Sequence, residues 1–339
     1  MKLLSLIIPT YNMEKLLPRC LDSLISNKQI IKLLQIIVVN DGSKDKSSII
    51  AHQYADNYPD CIDIIDKTNG NYGSCINAAL PIAVGKYVKV LDSDDWFNNN
   101  ELGLFLSKLE KCNSDLILTN YSQVFENNKK KLFSFPYESE KEYNSSIMTT
   151  FSFKELQMHA VTYKRQIFSD LNYKQTEGIS YTDQEWIFLP MSKVNTITYY
   201  NLNLYQYFIG REGQTMSPNL FNKNIGQRIA VSQSIVNKFT EIEKNLDSNH
   251  CAYLMHRVMF MITGIYKAFL FSLTDADIEI LHSFDKFIRT TNPKIHKELD
   301  NIPIKENIPY RYIYQYHKSN KKAPLLLKQM YKIWINFKK

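Results

Sequence analysis

From residue 3 to residue 121, short runs of aliphatic and β-branched residues alternate with longer amphipathic ones, and this rhythm constrains the chain more than any other feature. LLSLIIP precedes the amphipathic stretch 14–26, LLQIIVV precedes 45–58, CIDIID precedes 73–83, YVKVLD precedes 100–112, and DLILTNY closes the series. A βαβα order of this kind predicts an α/β domain whose parallel strands carry helices on both faces. The runs at 3–8 and 34–39 are apolar at both alternating sets of positions, as central strands buried on two sides must be. Polar residues follow the strands, at 10–12, 40–43, 66–69 and 92–95. Ligands of open α/β sheets bind at that edge. Neither a lysine-bearing phosphate loop nor a GxGxxG turn occurs, so a nucleotide held there needs another grip.

Beyond residue 121 the pattern turns polar, with NNKKK and ESEKEYNSS, which predicts a hairpin or surface excursion. A helix is expected over 181–192 and a strand over 195–208. From about 219 the strand-like runs stop. The stretches 223–245, 250–273 and 275–290 read as helices, the last with Thr274 as N-cap and Asp275 and Asp277 in its first turn. This gives two expected parts, an α/β domain over 1–218 and a helical region over 219–339. At 339 residues and 44% hydrophobic, the chain is large enough for one or two cores. Its five cysteines, Cys20, Cys61, Cys75, Cys112 and Cys251, show no metal-type pairing or repeated spacing. A reducing, cytoplasmic location is the expectation. The apolar start, MKLLSLIIPTYN, ends at Pro9 without a small-residue cleavage site and reads as a buried strand. A bilayer-spanning helix is not expected, since the longest apolar candidates are broken by His256, Arg257 and Lys267.

The formal charge of +7 comes from 41 basic and 34 acidic residues, and residues 318–339 hold seven lysines and no acid. The excess is therefore local. That argues against a nucleic-acid protein with a distributed basic face and for an electrostatic contact by the tail. KKAPLLLKQMYKIWINFKK interleaves lysines with apolar and aromatic residues. As a helix it could lie on an anionic membrane surface, peripheral to the inner face of the membrane, or dock on the protein's own body; both readings stand.

The sharpest chemical signal is VLDSDDW, residues 90–96, where a strand delivers Asp92, Asp94 and Asp95 within four positions. Clustered carboxylates repel unless a cation or hydrogen-bond donors compensate them, and hard oxygen ligands suit Mg2+ or Mn2+, which also bridges phosphate oxygens. The competing reading is an N-cap, with Asp94 or Asp95 starting the helix near residue 100.

IIPTYN, VVNDGSKDKS at 38–47 and LDSDDW at 91–96 stand in order at the ends of the first, second and fourth expected strands. Together they resemble the family 2 glycosyltransferases of the GT-A fold over roughly residues 3–215. The resemblance implies a Rossmann-like mixed sheet flanked by helices, a nucleoside diphosphate sugar (UDP-linked by expectation) as donor, inversion at the transferred carbon, and a glycan or lipid-linked glycan acceptor in cell-surface polysaccharide synthesis. It implies that Pro9, Thr10, Tyr11 and Asn12 line the nucleotide and that Asp41 reads the base. A carboxylate can accept the N3–H of uracil; an Asx turn between Asp41 and Ser43 is the alternative use of the same residue. TNGNYGSCINAAL, 68–80, resembles the family's asparagine-glycine segment, from which Ser74 and Asn77 face the ligand. Family members commonly carry a basic residue where Cys75 or a neighbour stands here.

The same resemblance gives Asp92 and Ser93 to the donor, with Asp92 on the ribose, and Asp94 to the metal, with Asp92 a second metal candidate. TEGISYTDQEWIF, 176–188, resembles the acidic motif that supplies the base for the acceptor hydroxyl, with Asp183 the candidate and Glu185 the runner-up. Capping of a helix by Thr182 or Asp183 is the alternative. Arg211, in YQYFIGREGQTMS, resembles a lid residue that reaches the diphosphate. His159 is placed at the acceptor side, with a structural role as the competing reading. Two rival functions stay open: a nucleotidyltransferase, which would show a glycine-rich loop with a basic residue near the first strand, and a catalytically decayed membrane-surface module.

Overall fold

The computed structural model describes residues 2–25, 27–210, 224–272, 278–304, 310–319 and 329. The chain divides into two compact units, residues 1–214 and 215–339.

The first unit is built on one ten-stranded mixed sheet. Strand β1 (Leu4–Thr10) pairs in parallel with β2 (Leu34–Asn40) and with β4 (Tyr87–Val90), and β3 (Ile62–Asp66) lies in parallel outside β2. β1 and β2 are buried almost throughout, which explains their unbroken aliphatic sequences, whereas β3 at the edge buries Ile62 alone and leaves its other positions half-buried or exposed. The second half of the sheet departs from the parallel plan. β9 (Val161–Lys164) inserts antiparallel between β4 and β6 (Leu116–Phe125). The long β10 (Thr196–Ile209) runs parallel to β6, and β5 (Trp96–Phe97) pairs antiparallel with β10. β7 (Lys130–Phe133) folds back on β6 as the hairpin the polar run predicts, and β8 (Glu142–Asn144) pairs with β10. This places the ends of β1, β2 and β4 side by side.

The helices α1 (Leu17–Ile25), α2 (Lys28–Ile31), α3 (Ser47–Asn57), α4 (Asn71–Ala79) and α5 (Asn99–Lys111) connect the first strands. α5 is capped by Asn98, whose side chain accepts from Asn100 N at 3.2 Å, so the carboxylates of 92–95 are not its N-cap. Short helices α6 (Phe151–Lys154), α7 (Gln166–Asp170) and α8 (Asp183–Trp186) follow. The helix expected over 181–192 is a single turn at α8 followed by a 3-10 segment, Leu189–Lys193. Pro190 removes one backbone donor there and breaks the run.

The second unit is helical where it is described: Ile225–Ile242, Ser248–Lys267, Ile278–Thr291, Pro293–Leu299 and Tyr312–Lys318. Thr274 and its proposed cap lie outside the described residues. Asp247 caps Ser248–Lys267 by accepting from Asn249 N and His250 N. The stretch Ser248–Phe271 is, contrary to the expectation from sequence, long and apolar enough by composition to cross a bilayer, and 56% of that window is packed inside the unit. Arg257 is itself buried on this helix, its guanidinium 5.4 Å from the Phe260 ring.

Candidate active site

The loops after β1 and β2 are laced together by their own polar residues. Asn12 N donates to Ser43 Oγ (3.1 Å), Lys44 N to Asn12 Oδ1 (2.7 Å), Glu14 N to Asp45 Oδ2 (3.0 Å) and Lys46 N to Glu14 Oε2 (3.0 Å). Asn12 adopts a positive φ of 53°, a conformation asparagine tolerates better than most residues. Thr10 turns inward, its hydroxyl donating to Ile8 O, and Pro9 is half-buried. Of the four expected nucleotide-lining residues, Tyr11 and Asn12 are exposed, Tyr11 at 45%.

Asp41 is buried at the end of β2, and its Oδ1 gathers Lys67 Nζ at 2.7 Å, Gly70 N at 2.9 Å and Ser74 Oγ at 3.5 Å. Its Oδ2 keeps its acceptor capacity. The Asx-type bond of this loop belongs to Asn40, which accepts from Ser43 N, so Asp41 is not spent on a turn. Lys67, which sequence reasoning missed, follows β3 directly and also donates to Ser74 Oγ at 2.8 Å. It brings to this pocket the positive charge that the neighbourhood of Cys75 lacks.

After β4, Asp95 N donates to Asp92 O across a tight turn (2.9 Å). Asp95 is wholly buried and fastens the turn to β10: Oδ2 accepts from Tyr205 Oη and Oδ1 from Phe208 N, both at 2.7 Å. Burial first, then Asp94 and Asp92, push its carboxyl well above the usual range. Ser93 and Asp94 are also buried. Arg19 from α1 lies 3.9 Å from the Trp96 ring centre and donates from Nη2 to Asp94 O at 2.7 Å, a planar cation seated against the acidic turn.

Asp183 opens α8, and Gln184 Nε2 donates to its Oδ2 at 2.9 Å. Two tyrosines report where its carboxylate lies. The Tyr72 phenol is held well above its ordinary pKa by burial and then by Asp92 and Asp183. Tyr207 is raised by burial and then by Asp95, Asp92, Asp94 and Asp183. Asp183 and the carboxylates of 92–95 are therefore within electrostatic reach of the same two side chains. Thr182 makes no cap bond, which removes the capping alternative for that residue.

Glu185 has a different task. It is fully buried, and its two oxygens accept from Thr176 N (2.7 Å) and Thr176 Oγ1 (2.8 Å). This engagement corrects the reading of Glu185 as an alternative base. Asn77 likewise does not face a ligand beside Ser74: its Oδ1 accepts from Gln175 N, and its Nδ2 donates to Gln175 O and Glu177 Oε1. Gly178 N donates to Gly70 O at 2.7 Å. A Cβ on Gly73 would stand 2.1 Å from Thr176 O, which only glycine permits. Helix α4 thus grips the segment 175–178, which in turn is held by Glu185, two residues from Asp183.

His159 is packed among the rings of Tyr121, Tyr205 and Tyr207, the last at 4.3 Å between centroids, instead of lining an open acceptor surface. Beneath it, fully buried Lys89 donates to His159 O and Val161 O. Burial and then Lys89 push the imidazole pKa down to about 3, so it is neutral at pH 7. Ligand-type atoms of Asp92, Asp95 and His159 lie within 4.8 Å of one another, a group that includes Asp92 but not Asp94. Asp95 is committed to Tyr205 and Phe208, so Asp92 and the neutral His159 are the members with donor capacity toward a divalent ion. Arg211 lies outside the described residues, as does the basic tail except Lys318, Ser319 and Gln329.

The family model described as Glycosyl transferase family 2 matches residues 5–171. The Mycoplasma genitalium glycosyltransferase MG025 is 30% identical over 231 residues, which cover 65% of this chain and 74% of that protein. The chain belongs to glycosyl transferase family 2. This family 2 transferase also resembles a poly(ribitol-phosphate) beta-glucosyltransferase of Bacillus spizizenii, at 28% identity over 63% of the chain and 33% of the relative. In two further relatives from Mycoplasma pneumoniae the match spans 33% and 45% of their length. In fold, the transferase is similar to S. aureus TarS solved with UDP-GlcNAc, with a TM-score of 0.69 at 19% identity, covering 98% of this chain and 92% of that one. The mixed sheet with flanking helices is accordingly the GT-A arrangement, accompanied by a helical C-terminal part.

Proposed function

We propose that the transferase moves a sugar, with inversion, from a UDP-linked donor to a glycan or lipid-linked glycan acceptor of a cell-surface polysaccharide. The observation that carries this reading is that Tyr72 and Tyr207 each lie within electrostatic reach of both Asp183 and carboxylates of the turn 92–95, which follows strand β4. A leaving diphosphate and an attacking hydroxyl need two sets of polar groups near one reacting centre, and in this reading the turn 92–95 and Asp183 supply them.

In this reading Asp41 Oδ2 accepts the N3–H of the base while Lys67 Nζ donates to Oδ1. Tyr11 covers the base, Asp92 holds the ribose, and Asp183 takes the proton from the acceptor hydroxyl. A hard divalent cation fits the acidic turn, held by Asp92 with Asp94 or His159, and when bound it neutralises charge on the departing diphosphate. UDP is favoured because the similar TarS was solved with UDP-GlcNAc, and a wall-polymer acceptor because a relative is named for poly(ribitol phosphate). The basic stretch 318–339 would bring the enzyme to an anionic membrane on the cytoplasmic side, and sedimentation with anionic against neutral vesicles tests it.

Calorimetric titration with UDP, GDP and dTDP, each with and without Mn2+, tests the donor assignment. Manganese-dependent binding of UDP alone is expected. Preference for another nucleotide, or binding indifferent to the metal, overturns the corresponding part.

A further inference from the structure

A second cluster of ligating side chains lies in the helical unit, apart from any residue assigned above. Asp285 is 1% exposed, on Ile278–Thr291, and its Oδ1 is the meeting point of three helices besides its own. Tyr266 Oη from Ser248–Lys267 donates to it at 2.6 Å. His296 Nε2 from Pro293–Leu299 stands at 3.1 Å and His317 Nε2 from Tyr312–Lys318 at 2.8 Å. The two imidazole rings stack at 4.5 Å between centroids. Both are largely buried, with side-chain exposures of 19% and 14%. The ligating atoms of Asp285, His296 and His317 lie within 4.8 Å of one another.

A further carboxylate sets the chemistry of this group. His317 Nδ1 sits 2.7 Å from Asp300 Oδ1, so Nδ1–H donates there. Nε2 of the same ring faces Asp285 Oδ1 at 2.8 Å, a gap that is bridged either by the ring's own proton or by a metal ion. An imidazole whose far nitrogen is fixed by a carboxylate is the usual outer arrangement of a metal-ligating histidine. The separations of 2.8 and 3.1 Å are a few tenths of an ångström short of the roughly 3.3 Å edge that tetrahedral bonds of about 2.0 Å produce. Opening the cluster slightly around an ion is a small adjustment.

We propose that Asp285, His296 and His317 form a site for a divalent transition metal of the zinc class, with Asp300 orienting His317 and Tyr266 orienting Asp285. The ion clips the helix Tyr312–Lys318 to two other helices of the unit, Ile278–Thr291 and Pro293–Leu299, immediately before the basic segment 320–339. Two imidazoles and one carboxylate suit Zn2+ better than Mg2+, which prefers oxygen ligands and keeps its water.

The test uses the full chain, stripped with a chelator and titrated with Zn2+ by calorimetry. One Zn2+ per chain is expected with a Kd below about 1 µM, accompanied by a higher Tm. His296→Ala and His317→Ala each abolish this event, and Asp300→Asn weakens it roughly 10- to 100-fold. Should the alanine variants fold poorly, Co2+ added to the unaltered protein gives an independent readout, with the visible d–d bands of a tetrahedral site expected. Absence of binding in this range, binding that survives both histidine substitutions, or a featureless Co2+ spectrum would each overturn the proposal in favour of a cluster held by protons alone.

Discussion

Asp183 and Glu185 stand two residues apart, and hydrogen bonding separates their roles where sequence could not. Glu185 spends both oxygens on Thr176, while Asp183 accepts from Gln184 and lies within electrostatic reach of the Tyr72 phenol, as Asp92 does. Asp183→Asn is therefore expected to lower kcat by about 10²- to 10⁴-fold with the nucleotide Kd unchanged, as measured by turnover and calorimetry on the same preparation. Glu185→Ala leaves the Thr176 N–H without its acceptor and should cost about 1–3 kcal/mol of stability, read as a lower midpoint in denaturant. Lys67 teaches a related lesson. Its sequence position after β3 carries no motif, and only the loop that returns it to Asp41 reveals its use. Lys67→Met should weaken UDP binding while leaving metal-independent folding largely intact, and unchanged affinity would remove Asp41 and Lys67 from the nucleotide site.

At the scale of elements, the strands were legible because burial on two faces imposes unbroken aliphatic runs, and the motifs at 10–12, 40–43 and 92–95 fall at the ends of β1, β2 and β4 as that pattern implies. The antiparallel insertion of β9 was not legible, since its four residues, VTYK, have no periodicity to read. Nor was the shortness of α8, where Pro190 overrides an amphipathic stretch. Tyr205 and Tyr207 could have been found from the period of two in β10, which puts both on one face. The contact between α4 and segment 175–178 depends on a missing side chain, and a glycine in a helix announces nothing by itself. Gly73→Ala should displace that segment, lowering kcat at least tenfold, because 1 Å of misplacement near the chemistry is that costly. Steady-state kinetics with saturating donor checks it.

Across the whole molecule, the sequence located the helical part and the excess charge but not the cluster in the second unit, because Asp285, His296 and His317 come from three helices and form no local pattern. Acid should loosen the first unit in a definite direction. Asp45 and Asp66 are both held below the ordinary carboxylate range: burial opposes this, and hydrogen bonds from Ser47 and Glu14 to Asp45, and from Asn40, His52 and Ser48 to Asp66, outweigh it. Their contribution is complete above the unfolded carboxylate pKa and is lost as pH falls through the lower folded values. Melting followed from pH 6 downward should show Tm falling below about pH 4, less steeply for Asp45→Asn.

The proposed reaction needs Asp183 and the acidic turn to act together on a nucleotide-activated sugar. The most direct measurement is release of UDP from UDP-sugars with Mn2+ and a wall-polymer acceptor, comparing the unaltered enzyme with Asp92→Asn and Asp183→Asn. Acceptor-stimulated UDP release by the unaltered enzyme is expected, with loss of donor binding in Asp92→Asn and retained binding without transfer in Asp183→Asn. Full turnover by the Asp183 variant would contradict it.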